Sequence, residues 1–330
     1  MPSSILIFDL HLIGDVVVLT PLLKALRVAY PNARVVLVAG PWANDILHGT
    51  NLVDEIVTFS APWVKTGQGW HGLVSCLKLS WLLRKRCWDM GIEVRGDVRQ
   101  ILLLWLSGAR RRVGFGFTGG AKLLTDVVFD DGVLAHLGEH HRRICCHLGI
   151  WDNMISYIPF LTLTAEEKST ADEIPGYIGF HFGASRPLRK LPELEIIQLL
   201  SRFASVEVGL TIFLSPGSEH EFDSVLTQLP LSVRSKLNLW SGSLRDFVVT
   251  TSRAVHCYCM DSGPAHIASA LSVPTTVFFG PSEFEYVHPL GGKVEIISKS
   301  DVKCRPCDQI NCKHQTFQFC MQGLASRSIF

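Results

Sequence analysis

Short unbroken apolar runs alternate with longer amphipathic stretches along this chain, and they do so twice. Ile5-Leu6-Ile7-Phe8 reads as a strand buried on both faces. A helix is predicted from about Asp15 to Tyr30, where Pro31 stops it. Val35 to Ala39 is a second strand, Pro41 to Leu47 a short helix, and Glu55 to Phe59 a third strand. The loop Ser60 to His71 is long and rich in Gly and Trp. Leu73 to Arg86 is a helix with the basic end Arg84-Lys85-Arg86, followed by a strand at Met90 to Val94. Val98 to Ser107 is a very apolar helix, Arg112 to Phe115 a strand, and His136 to Leu148 a closing helix. Strands alternating with helices predict a parallel sheet covered on both faces.

The second half repeats the arrangement. Leu161 to Pro175 is polar and reads as a linker. Strands are predicted at Tyr177 to Phe182, Val206 to Leu214, Leu237 to Trp240, Ala254 to Met260 and Thr275 to Phe279, with a helix opening at Glu193. The fold class expected is α/β: two doubly wound, Rossmann-like domains facing a cleft. Residues 1–165 form the first, 166–300 the second, and 301–330 a Cys-rich C-terminal segment.

The 330 residues are 47% hydrophobic with a net charge of +1, enough apolar surface for two cores and too little positive charge for a general nucleic-acid binder. No apolar run reaches the length of a membrane span. Met1 to Ile5 runs straight into a strand without a secretory pattern, so the expected compartment is the cytoplasm. The apolar segments around Leu73 to Arg86 and Ile101 to Leu106 read as core helices. If the acceptor is lipid-linked, they would instead dock peripherally on the inner membrane through the basic Arg84-Lys85-Arg86 end. Six cysteines (Cys76, Cys87, Cys145, Cys146, Cys257, Cys259) lie in apolar segments, as buried thiols do.

In a doubly wound sheet, ligands bind beyond the carboxyl ends of the strands. That places Asp15 in the crevice, on a glycine turn at a helix start, either capping that helix or acting as a general base. Asp9 and His11 leave the same strand end and are candidates for reading an acceptor, although His11 also fits a satisfied structural histidine. In the second half, Gly183 to Pro192 combines small residues with Ser185, Arg186, Arg189 and Lys190 and suits a diphosphate, or is a solvated basic loop. Glu219 follows the next strand, where an acid can hold ribose hydroxyls. Asp261-Ser262-Gly263-Pro264-Ala265-His266 is a strand–turn–helix with Ser262 as N-cap and Pro264 in the first turn. It is either a plain capped turn or an anion site. Neither Gly-x-Gly-x-x-Gly with an acid about 20 residues on nor Gly-x-x-x-x-Gly-Lys-Ser/Thr is present, which lowers a nicotinamide or P-loop reading.

Four more cysteines form Cys304-x2-Cys307-x4-Cys312-x7-Cys320, with His314 among them. Thiols at that spacing in a cytosolic chain favour a structural zinc or iron over unliganded thiols or disulfides.

Taken in order, these residues resemble glycosyltransferase family 9, the ADP-heptose:lipopolysaccharide heptosyltransferases. The resemblance covers most of the chain. Gly14-Asp15-Val16 with Pro21 and Leu23 matches the opening motif. Asp89 to Gly96 with Arg99, and Arg111-Arg112-Val113-Gly114-Phe115, match two central segments. His181-Phe182-Gly183-Ala184-Ser185 with Lys190-Leu191-Pro192 matches the family's donor loop. Asp261 to His266, Val273-Pro274 and Phe279-Gly280-Pro281 are the most specific group.

The resemblance implies a GT-B fold, an ADP-heptose donor and inversion without a metal in the reaction. By position, Asp15 is the general base and Lys190 stabilises the departing ADP, aided by Ser185, Arg186 and the Ser262–Gly263 helix start. Glu219 would hold ribose, Asp261 the donor sugar or adenine edge, and His266 lies in the same donor motif. Asp9 and His11 stand where the family carries Arg and Ser near the acceptor, Leu191 replaces its Trp and Phe182 its Pro. The cysteines resemble the iron-binding finger of autotransporter heptosyltransferases. The acceptor is lipopolysaccharide core or a protein such as an autotransporter adhesin; nucleic acid is not a partner, and a homo-oligomer is left open. Two other functions fit such a cleft: a GT-B-like nucleotide-sugar epimerase, and a non-catalytic nucleotide-sugar-binding scaffold.

Overall fold

The computed structural model describes residues 1–64, 69–132, 135–151, 156–307 and 309–327, with backbone alone at 69–71 and 219. The chain divides into two units, Met1–Thr162 and Leu163–Phe330. In the first, β1 (Ser4–Asp9), β2 (Arg34–Ala39), β3 (Glu55–Thr58), β4 (Met90–Glu93), β5 (Arg111–Gly114) and β6 (Asp126–Val127) form one parallel sheet in the order β3-β2-β1-β4-β5-β6. Helices α1 (Ile13–Ala29), α2 (Ala43–Leu47), α3 (Gly69–Arg84), α4 (Val98–Leu106) and α5 (Leu137–His147) connect and cover it. Leu6, Phe8, Val36 and Val38 point to the face packed by Leu79 and Leu83 of α3 and Ile101 and Leu104 of α4. Ile5, Ile7, Val35 and Leu37 alternate with them and are fully buried as well. Two buried faces explain why these strands read as continuous apolar runs.

The second unit opens with α6 (Ala165–Asp172). It continues with β7 (Tyr177–His181), α7 (Glu193–Ser201), β8 (Gly209–Leu214), α8 (Asp223–Gln228), α9 (Leu231–Arg234), β9 (Leu237–Ser241) and α10 (Leu244–Thr251). Then follow β10 (Ala254–Met260), α11 (Gly263–Ala270), β11 (Thr275–Phe279), α12 (Phe284–Val287) and β12 (Val294–Ser298). Its parallel sheet runs β12-β11-β10-β7-β8-β9, so both sheets reverse direction at their first strand, the arrangement of dinucleotide-binding folds. Residues after 300 add to this core: Met321, Leu324 and Ala325 are fully buried in it. Glu195 of α7 accepts the backbone N–H groups of Gly323 (2.7 Å) and Ala325 (2.9 Å).

Several expectations are corrected. The linker contains α6, closed by a reciprocal box in which Thr164 caps Glu167 N–H and Glu167 caps Thr164 N–H. The edge strands β6 and β12 were not anticipated, the first because it is two residues long, the second because its sequence Val-Glu-Ile-Ile-Ser is mixed and half-exposed. The short helices α8, α9 and α10 were also missed. Of the six cysteines expected inside, Cys145, Cys257 and Cys259 are buried, Cys76 is intermediate, and Cys87 and Cys146 are exposed. Helices α3 and α4 bury only one side; Leu77, Trp81, Leu102 and Trp105 face outward. No helix among the described residues is long and apolar enough to cross a membrane.

Candidate functional site

A doubly wound sheet opens a crevice where its strand order reverses. In the first unit that point lies between β1 and β4, with Phe8 level with Glu93. The chain leaving β1 carries Asp9 and His11 and then enters α1, whose first turn holds Asp15. One Asp15 oxygen accepts the Leu12 N–H at 2.9 Å; the other lies 3.0 Å from the Arg95 guanidinium, beyond β4. The helix-capping role is therefore realised, and it fixes the carboxylate at the strand end.

Asp9 is fully buried. Burial first, and the Asp15 carboxylate second, push its pKa up to about 8, against the opposing pull of Arg95 and the His11 N–H. Gln100 of α4 accepts the Leu10 N–H through Oε1 (2.8 Å), so its amide nitrogen donates to His11 Nε2 (2.8 Å). His11 is thus neutral with its proton on Nδ1. Burial, then Arg95, lowers its pKa to about 4. The structure brings Asp9, His11 and Asp15 together, and adds Arg95 and Gln100, which sequence reasoning did not assign. Arg95 lies within the segment Asp89 to Gly96 already singled out in the sequence, and its place just beyond the β4 strand end was the available signal.

The turn after β4 is held by Glu93, which accepts the N–H groups of Arg95 (3.1 Å) and Gly96 (2.6 Å) and whose pKa burial raises to about 8. Gly96 has φ +69°, and a Cβ there would stand 2.5 Å from the Phe117 ring, so only glycine fits.

In the second unit, β7 and β10 meet at the reversal, with His181 level with Cys259. The basic loop after β7 and the Asp261 turn after β10 are joined by Arg189. Its guanidinium lies 3.2 Å from the Asp261 carboxylate, which also accepts the Ser282 hydroxyl at 2.5 Å. Asp261 is only 5% exposed and so is engaged from within. Lys190 instead pairs with Glu221 at 3.0 Å, half-exposed, while Ser185 and Arg186 face solvent. Ser262 sits at the N-cap position of α11 but makes no side-chain cap; its hydroxyl donates to Met260 O at 3.2 Å. Pro264 has no N–H and the Ala265 N–H donates to Ser262 O at 3.1 Å, so the donor presented at that helix start is the Gly263 N–H. Gly263 opens the helix and His266, half-buried, follows within its first turn. The Glu219 side chain lies outside the described residues.

Cys304, Cys307, Cys312 and Cys320 line one cavity of about 320 Å³ together with His314. All are free thiols. The Gln309 N–H points at Cys307 Sγ (3.4 Å) and the Gln318 N–H at Cys312 Sγ (3.3 Å). Among the described residues no three His, Cys, Asp or Glu side chains stand close enough to ligate one ion. The donor chemistry fits a metal, whereas the present spacing holds the thiols around the cavity wall. The same segment reaches the basic loop: Gln309 Oε1 accepts Arg189 Nε at 2.6 Å, and Gln318 Nε2 donates to Lys190 O at 3.3 Å.

Residues 76–318 match the model of glycosyltransferase family 9 (heptosyltransferase). The chain is 22% identical over 310 residues to lipopolysaccharide heptosyltransferase 2 of Escherichia coli, covering 89% of this chain and 87% of that protein. Its fold matches the structure of E. coli ADP-heptose lps heptosyltransferase II with a TM-score of 0.73 at 21% identity, over 91% of each chain. It also matches the bacterial iron-containing dodecameric glycosyltransferase TibC from enterotoxigenic E. coli, with a TM-score of 0.53 at 11% identity over 93% of this chain and 65% of that one.

Proposed function

From the premise that the chain belongs to glycosyltransferase family 9, the heptosyltransferases, and has their GT-B fold, we propose that it transfers heptose from ADP-heptose to a hydroxyl acceptor with inversion at the anomeric carbon. The observation that carries this reading is the Asp15 carboxylate, fixed at the end of β1 by the Leu12 N–H and by Arg95. A base so held takes the proton of the attacking hydroxyl as the new C–O bond forms and the bond from C1 to the ADP oxygen breaks. His11, held neutral by Gln100, stands beside the acceptor hydroxyl, and Asp9, buried behind it and held protonated by burial, shapes this strand end from within.

The donor roles fall to the second unit. Lys190 exchanges Glu221 for a phosphate oxygen of the departing ADP. Ser185, Arg186 and the backbone at Ser262–Gly263 complete the anion site, with His266 in the same turn. Glu219 holds ribose. Asp261 acts mainly through Arg189, whose position it sets. Cys304, Cys307, Cys312 and Cys320 would hold a structural iron or zinc that stiffens the segment against this loop, and the iron named for TibC supports that assignment.

The acceptor is a lipid such as lipopolysaccharide core, or a protein. Incubation with ADP-heptose and each acceptor, followed by mass spectrometry, should register a gain of one heptose. Asp15→Asn should lower kcat by about 10²–10⁴-fold while ADP binding is kept. Transfer at the parent rate in that variant would remove the base assignment, and no ADP binding by the parent would remove the donor reading.

A further inference from the structure

A buried side-chain amide must spend both its ends on hydrogen bonds, and each end dictates what its partner does. Gln100 is fully buried on α4. The helix start that carries it is fixed: Ile101 and Leu104 sit in the core, and the Asp97 side chain accepts the Arg99 N–H at 2.9 Å. Gln100 Oε1 must face the Leu10 N–H, because that backbone group can only donate. The Nε2 end is thereby turned to His11, and a ring nitrogen 2.8 Å from an amide NH₂ accepts.

The consequence lies on the other side of the ring. With Nε2 held as acceptor, a neutral imidazole carries its proton on Nδ1. Among the described residues Nδ1 meets no partner, and unlike both Asp9 oxygens it is not closed off from the surface. The charged groups around the ring are Asp15 on α1, Arg95 beyond β4, and Asp97 and Arg99 at the start of α4, with buried Asp9 two residues back on the chain. Two carboxylates and two guanidiniums offset one another, so burial decides and the ring stays neutral.

A donor set beside a base sorts the two sides of a hydroxyl. The acceptor oxygen would take a hydrogen bond from Nδ1–H on one lone pair, give its own proton to Asp15 and attack C1 with the other pair as the bond to the ADP oxygen breaks. We infer that Gln100 is a positioning residue of the acceptor site: through Nε2 it keeps the His11 proton on Nδ1, so that His11 offers the acceptor a donor and leaves the base role to Asp15. The tautomer clause stands on the hydrogen bonds alone; the acceptor clause rests on the function proposed above.

The test uses the full chain. Long-range proton–nitrogen correlation spectra at neutral pH, with the His11 signals identified by their loss in His11→Ser, should show a neutral ring protonated on Nδ1. Gln100→Met keeps the length of the side chain without its donor. It should release Nε2, and the proton should shift to that nitrogen, the one a neutral histidine side chain in water favours. With ADP-heptose and acceptor, Gln100→Met should lower kcat/KM for the acceptor about threefold to tenfold, with the ADP Kd unchanged. Because Gln100 acts through His11, the same change made in the His11→Ser background should cost little more, whereas a purely structural Gln100 would cost as much in both backgrounds. A parent ring protonated on Nε2 or charged at neutral pH, the Nδ1 form retained in Gln100→Met, or equal losses in both backgrounds would overturn the inference. A parent that transfers no heptose would overturn the function proposed above and the acceptor clause with it, while the spectra still decide the tautomer.

Discussion

Replacing Arg189 by Met isolates the contact that joins the basic loop to the Asp261 turn. The change keeps the length of the apolar stem and removes the guanidinium from Asp261 (3.2 Å) and from Gln309 (2.6 Å). Asp261, 5% exposed, is then a buried carboxylate that keeps the Ser282 hydroxyl but has lost its cation. Breaking a buried pair from one side costs about 3–5 kcal/mol. Arg189 itself is 21% exposed, so water recovers part of the loss and the low end, about 3 kcal/mol, applies. For a unit of this size that is about 6–12 °C in Tm. The double variant Arg189→Met, Asp261→Asn removes the orphaned charge along with its partner and should regain most of the loss, since the two side chains are directly coupled. Differential scanning calorimetry on parent, single and double variants completes the cycle. A single variant within about 2 °C of the parent, or a double no more stable than the single, would refute the reasoning.

Burial pushes Asp9 and Glu93 up to about 8. Each binds more protons folded than unfolded, so its stabilisation is full below about pH 4 and is lost as pH rises to about 8. Urea midpoints should fall across that window, and Asp9→Asn should flatten the fall; identical slopes count against a protonated Asp9. Gln318→Ala, which frees the Lys190 carbonyl, should raise the ADP Kd about threefold to tenfold with little change in Tm, measured by calorimetric titration; an unaltered Kd contradicts the bracing role. The purified chain should carry about one iron or zinc, as a four-thiol site takes one ion. Cys304→Ser with Cys307→Ser should empty it, as read by elemental mass spectrometry, and an equal metal content in the variant would move the site elsewhere.

The sheets were legible because strands buried on both faces leave an apolar run that no solvated segment copies, as at Ile5 to Phe8 and Cys257 to Met260. Edge strands and short helices were not, since β12 and α10 bury half their surface and their composition overlaps that of loops. The strand-end positions of Asp9, His11, Asp15 and Asp261 followed from topology alone. What those residues touch did not. Arg95 and Gln309 come from distant parts of their units, and a hydrogen bond across 120 residues, such as that of Arg189 to Gln309, leaves no local periodicity. Ser262 shows the reverse error: the right residue type at an N-cap position, with its hydroxyl turned back to Met260. The outward faces of α3 and α4 were hidden for a related reason, since an apolar helix reads as core whichever side it shows to water.

The buried Met321, Leu324 and Ala325, tied to Glu195 on α7, bear on how the protein is made. Synthesis runs from the N-terminus, and the first unit has all six of its strands by residue 127, so it can close while the rest is still being translated. The second unit begins at residue 163 but fills its core with residues 321–325. Until those emerge from the ribosome, Glu195 lacks its amide partners and part of the apolar core around α7 stays open. The second unit is therefore the late and vulnerable step of biogenesis, the stage at which chaperones would find exposed surface to hold.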